Sequence, residues 1–165
     1  MNIRLMKQLD LVIGRLAAAF IPVPLRKDLF FPLTSILLIR PGGIGDAVLL
    51  APVITSLKNK YPSLKITVLA EQRNSGVFAL IPTVDTLLCY DRPRELLHAL
   101  QCNYDVVIDS EQSHRLSAVV ARFASAPVKI GFNTNERRRM FTHQIPYLQD
   151  DYEAISFAHL LEPLG

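Results

Sequence analysis

Ile36-Leu37-Leu38-Ile39-Arg40-Pro41-Gly42-Gly43-Ile44-Gly45-Asp46-Ala47-Val48-Leu49-Leu50-Ala51-Pro52 decides the reading of this chain. Four apolar residues between Ser35 and Arg40 predict a strand buried on both faces. Gly42, Gly43 and Gly45 follow, then the carboxylate of Asp46, then an apolar helical pattern. A strand, a glycine loop and a helix in that order build a site. Glycines let backbone come close to a ligand, and the first turn of a helix leaves N–H groups unpaired. Asp46 stands where a phosphate would otherwise sit.

A dinucleotide-binding loop is the first reading to test. Its fingerprint needs G-x-G-x-x-G and an acidic residue ending the second strand. Gly43-Ile44-Gly45-Asp46-Ala47-Val48 supplies two glycines and then Val48, which is expected to hold helix and strand apart; Glu71 does end the next strand. An ionised Asp46 at the helix N-terminus repels a pyrophosphate there. Such a carboxylate suits proton acceptance or hydroxyl binding, and the helix dipole favours its charged form. From the local residues, Asp46 is either an N-cap or a catalyst.

With 165 residues, half of them hydrophobic, the chain has enough apolar material for one core in a single domain. A net charge of +3 is too weak to argue for nucleic acid. Basic residues cluster at Arg137-Arg138-Arg139 with Lys129 nearby, but no aromatics interleave with them as base stacking requires. Cys89 and Cys102 fit neither a metal spacing nor a disulfide framework, and two free thiols suit the cytosol. His98, His143 and His159 form no metal constellation, and His114 reads as a helix-start residue.

Residues 1–34 form a separate unit, an amphipathic helix over 2–20 followed by a connector stiffened by Pro22, Pro24 and Pro32. Asp10 and Arg15 make the helix too charged to span a bilayer, and Arg15 argues against a signal peptide. Two readings stand. In one the helix lies on an anionic membrane through Arg4, Lys7, Arg15, Arg26 and Lys27. In the other, slightly favoured, it packs on the domain or on a partner.

From Ser35 the chain alternates. A helix from Asp46 to about Lys60 precedes a strand at 65–70, a short helix at 76–81 and a strand at 86–90. A helix at 94–101 entered through Pro93, a strand at 105–109, a helix at 114–124 and a strand at 128–132 complete the pattern. Strands separated by helices of this length require parallel, right-handed crossovers. The expected fold is α/β, an open parallel sheet with helices on both faces, which binds ligands beyond the carboxyl ends of its strands. Those ends carry residues 40–46, 71–75, 91–92, 109–114 and 133–139, where nearly every polar cluster of interest falls.

These residues carry a resemblance. Ile-Arg-x-Gly-Gly-Ile-Gly-Asp-x-Val-Leu-x-x-Pro resembles the opening motif of the heptosyltransferases, glycosyltransferase family 9. Val68-Leu-Ala-Glu71, Pro82-x-Val-Asp85, Tyr104-Asp-Val-Val-Ile-Asp-Ser-Glu-Gln112 and Lys129-Ile-Gly-Phe132 resemble its later motifs in order. The resemblance runs from Ser35 to about Arg139, is weaker to Gly165, and leaves residues 1–34 uncovered.

The resemblance implies an inverting enzyme of GT-B architecture, two Rossmann-like domains facing a cleft. Residues 35–165 match the N-terminal, acceptor-side domain. It implies transfer of a sugar, typically heptose from ADP-heptose, to lipopolysaccharide core or a similar glycan, with no metal and no cofactor beyond the donor substrate. Asp46 matches the general base. Gly42, Gly43 and Gly45 let sugar and diphosphate approach. Arg73, Arg137, Arg138 and Arg139 suit an acceptor bearing phosphates or carboxylates, or form a solvated loop. Glu111 and Gln112 bind sugar hydroxyls, or simply precede and cap the next helix. The place is the cytoplasm, with peripheral contact to the inner membrane as the sharper option.

Two departures follow. The chain stops about where the linker to a C-terminal donor-binding domain is expected, so residues 1–165 are expected to fold but to transfer sugar negligibly. Tyr152-Glu153 stand where the family places a late histidine. The rival readings are a non-catalytic glycan- or partner-binding module and a nucleotide-binding oxidoreductase.

Overall fold

The computed structural model describes residues 10, 14–16, 20–25 and 32–165. Six strands form one parallel sheet: β1 (Ser35–Arg40), β2 (Lys65–Ala70), β3 (Thr86–Cys89), β4 (Val106–Asp109), β5 (Val128–Phe132) and β6 (His143–Ile145). Their order is β3-β2-β1-β4-β5-β6, the doubly wound Rossmann arrangement. The helices are α1 (Ile44–Leu49), α2 (Ala51–Lys60), α3 (Ser75–Ala79), α4 (Pro93–Gln101), α5 (Arg115–Phe123) and α6 (Glu153–His159).

Central β1 shows why both faces are covered. Ile36 and Leu38 enter one core with Val53, Ile54, Leu57, Phe78 and Phe157 from α2, α3 and α6. Leu37 and Ile39 enter the other with Ala99, Ala118 and Ala121 from α4 and α5. All four are fully buried, at about 2 kcal/mol each for the transfer from water. A period-2 strand with apolar residues at every position has no solvent face.

The expected single helix from Asp46 to Lys60 is two helices meeting at Leu50. Pro52, in the first turn of α2, has no N–H to continue α1, and this divides them. Val48 does not hold helix and strand apart, because it points outward at 52% exposure. Ala47 is the small residue buried against the strands. The edge strand β6 and the 3-10 turn over Glu136–Met140 were not foreseen; both are too short to show a period.

Of the expected N-terminal helix, residues 10, 14–16 and 20 are helical. Arg15 lies 3.6 Å from Glu136, and the Pro22 carbonyl accepts from Arg122 Nη2 at 3.4 Å. Its described part therefore packs on the domain. Arg4, Lys7, Arg26 and Lys27 lie outside the described residues. No helix among the described residues is long and apolar enough to cross a membrane.

Candidate active site

The chain reverses direction across the sheet between β1 and β4, and a cleft opens beyond their carboxyl ends. Its volume is about 830 Å³, and its walls include Gly42, Gly43, Asp46, Arg73, Glu111 and Gln112. Gly42 needs its glycine, with φ at 113°. Gly43 is the N-cap of α1 in extended conformation, and Asp46 is the third helical residue. Asp46 is therefore not the cap. Gly45 is exposed on α1 and is not among the cleft walls.

Arg40 organises this end of the sheet. It ends β1, where flanking strands bury it to 1% exposure. Its Nη2 donates to Asp46 Oδ2, and Nη1 donates to the Ser110 carbonyl at 2.7 Å and Gln112 Oε1 at 3.3 Å. The guanidinium lies 5.3 Å from the centre of the Phe157 ring on α6. One side chain thus ties together α1, the segment after β4, and α6. Buried Asn74 holds the adjoining loop, donating to the Arg40 carbonyl at 3.2 Å and accepting from Glu71 N–H at 2.9 Å.

Asp46 keeps 38% of its side chain exposed. Among the described residues only Oδ2 is hydrogen-bonded, which leaves Oδ1 for a ligand. Glu111 is spent differently. Its Oε1 accepts from the N–H groups of Gln112, Ser113 and His114 at 3.1, 3.0 and 3.3 Å. Burial pushes this carboxyl up, but bonding to His114, the charge of Arg40 and the Ser113 N–H outweigh it and hold it at about 2. Gln112 is likewise engaged, accepting from Arg40 and donating to Glu153. Arg73 is exposed and paired with Glu71 at 2.5 Å.

The arginine run divides. Arg137 is fully buried, donating to Asp109 Oδ2 at 2.6 Å and to the His114 carbonyl at 3.2 Å, over the Phe141 ring. These partners occupy its guanidinium, and it is not among the cleft walls. Arg138 and Arg139 are exposed and also absent from its walls. A helix with three residues per turn sends consecutive side chains in three directions, and only one points inward here. Lys129, expected beside this cluster, is buried on β5, donating to the carbonyls of Ala121 and Ala124 at the end of α5. Burial, then the nearby Arg122 charge, brings its amine down to about 8.

Asp10 and Tyr90 line the cleft from outside the carboxyl-end segments expected to bind ligand, whereas Arg40, Asp91 and His114 lie within those segments but carry no assigned ligand-binding role in the sequence reading. Arg40 was inside the motif, but nothing local shows that an arginine turns inward. Burial pushes the Tyr90 phenol up, with Asp109, Asp10, Glu71 and Glu111 adding to the shift, so it stays a neutral donor. The lining carries Asp10, Asp46, Glu71, Asp91 and Glu111 against Arg40 and Arg73. It is acidic, where the sequence suggested a basic acceptor surface. No group of three or more metal-ligating side chains occurs among the described residues.

Comparison with known proteins fits this geometry. No family model matches the chain. Lipopolysaccharide heptosyltransferase 3 of Escherichia coli is 30% identical over 138 residues, 73% of this chain and 40% of that protein. The E. coli heptosyltransferase WaaC with ADP superposes with a TM-score of 0.70 at 19% identity, over 79% of this chain and 47% of that one. In sequence and in fold the chain is similar to the heptosyltransferases of glycosyltransferase family 9. The family 9 glycosyl transferase of Veillonella parvula has the same fold, with a TM-score of 0.67 at 20% identity over 85% of this chain and 43% of that one. This chain spans 40% of the length of the curated heptosyltransferases it matches.

Proposed function

We propose that this chain forms the acceptor-side half of an inverting glycosyltransferase that moves heptose from ADP-heptose to a lipopolysaccharide core or similar glycan. In this reading residues 35–165 are the acceptor-side domain, residues 1–34 precede it, and a C-terminal domain binds the donor. The work takes place in the cytoplasm, against the inner membrane surface. Support comes from that similarity and from the E. coli relative solved with ADP and with ADP-2-deoxy-2-fluoro heptose.

The observation that carries the reading is Asp46, held through one oxygen by Arg40 with the other open to an accessible cleft. A general base must reach its proton at hydrogen-bond distance, and Oδ1 is left for a hydroxyl that enters the cleft, whose walls include Gly42, Asp46 and Gln112. As the acceptor oxygen bonds to the anomeric carbon, the bond from that carbon to the diphosphate breaks. ADP leaves with the electron pair, and the hydroxyl proton passes to Asp46. The acidic walls suit an acceptor presented by its hydroxyls, with Tyr90 as a neutral donor.

Calorimetric titration of the purified chain with ADP-heptose and, separately, a lipopolysaccharide core acceptor tests the proposal. Acceptor binding without donor binding is the expected result. Tight nucleotide binding by this chain alone overturns the assignment of halves and restores the dinucleotide reading.

A further inference from the structure

Helix α5 has no cap of its own, because His114 at its N-cap contributes no side-chain hydrogen bond to the helix. Asp10 serves instead, from 105 residues earlier in the chain: Oδ1 accepts from Arg115 N–H at 2.7 Å and Leu116 N–H at 2.8 Å. The Arg115 guanidinium lies 3.7 Å from Oδ2 and donates to Glu136 at 2.8 Å through Nε. Asp10 is 6% exposed, and what remains open lines the cleft beside His114, Leu116 and Ser117. The approach is close: a Cβ on Gly14 would lie 2.4 Å from Arg115 Cβ, so residue 14 fits against α5 only as glycine.

Two first-turn N–H groups, the positive end of a nine-residue helix and an arginine make an environment that attracts anions. Here the chain fills it with its own carboxylate. We propose that Asp10 is a specificity-determining residue, closing the α5 end of the cleft to phosphate and other anions so that ligands enter there through neutral hydroxyls. The closure is a property of Asp10, and it does not depend on the sugar-transfer reading.

The test uses inorganic phosphate as probe and the backbone N–H resonances of Arg115 and Leu116 as readout, in wild type, Asp10→Ala and Asp10→Asn. Wild type shows no saturable shift at these two groups. Asp10→Asn keeps an oxygen acceptor at the cap and stays silent too. Asp10→Ala frees both groups and gains phosphate binding at least about tenfold tighter than wild type, while melting about 2–4 °C lower for the lost cap. A purely structural role predicts the lower melting without any gain in binding, and that outcome overturns the proposal. Phosphate shifts in wild type equal to those in Asp10→Ala also overturn it. Should Asp10→Ala fail to fold, Asp10→Ser takes its place: phosphate shifts at Arg115 and Leu116 that wild type lacks support closure, and their absence overturns it.

Discussion

Arg40 and Asp46 form an ion pair in which the guanidinium is buried and the carboxylate remains open on its cleft side. Arg40 is fixed independently by Ser110 and Phe157, so it positions Asp46 rather than the reverse. Asp46→Asn retains an oxygen for Arg40 and costs about 1 kcal/mol of stability. In any preparation that transfers sugar, it lowers kcat by about 100-fold or more while acceptor affinity by calorimetry stays within a few-fold. Unchanged kcat would remove Asp46 from the role of general base.

The two loop glycines should separate. Gly42, at φ 113°, pays backbone strain for any side chain, so Gly42→Ala loses about 1–2 kcal/mol in urea unfolding. A Cβ on Gly45 meets nothing within 4 Å, and the residue is helical. Gly45→Ala therefore gains about 0.5–1 kcal/mol. If ligand closes onto that open space, the same variant weakens acceptor binding despite its greater stability.

The arginine run offers a contrast within three residues. Arg137→Met leaves Asp109 buried without its counter-charge and loses about 3–5 kcal/mol by chemical unfolding. Arg138→Ala and Arg139→Ala stay within about 0.5 kcal/mol. Acceptor binding by calorimetry is expected to be unmoved by the two exposed substitutions. Its loss would return them to the site.

Glu111 sets an acid limit. Its folded carboxyl titrates at about 2 against an ordinary 4.5, so its contribution is complete above pH 4.5 and is lost as pH falls toward 2. The difference corresponds to up to about 3 kcal/mol. Unfolding free energies of wild type and Glu111→Gln should be furthest apart near neutral pH and converge below pH 4.5. A gap that stays constant with pH would show that the bonds to Gln112, Ser113 and His114 do not depend on charge.

The positions of β1 to β5, their parallel crossovers and the glycine loop were legible because each rests on local pattern. β2 at Lys65–Ala70 and β5 at Val128–Phe132 have the expected bounds, since apolar runs between turn residues leave few alternatives. The order β3-β2-β1-β4-β5-β6 completes what alternation implied.

Which charged side chains face the cleft was not legible, because that choice is made by residues distant in sequence. Asp109 draws Arg137 inward across 28 positions, and Ser110 secures Arg40 across 70. Arg115 and Leu116 receive their cap from Asp10, in a segment the family resemblance left out. An isolated arginine or aspartate reads as solvated, since burial costs several kcal/mol unless a partner is waiting. The sequence alone determined the doubly wound sheet and the place of Asp46 beside it. Only the tertiary structure supplied the buried partners, and through them decided that the cleft walls are acidic and that Asp10 helps to line them.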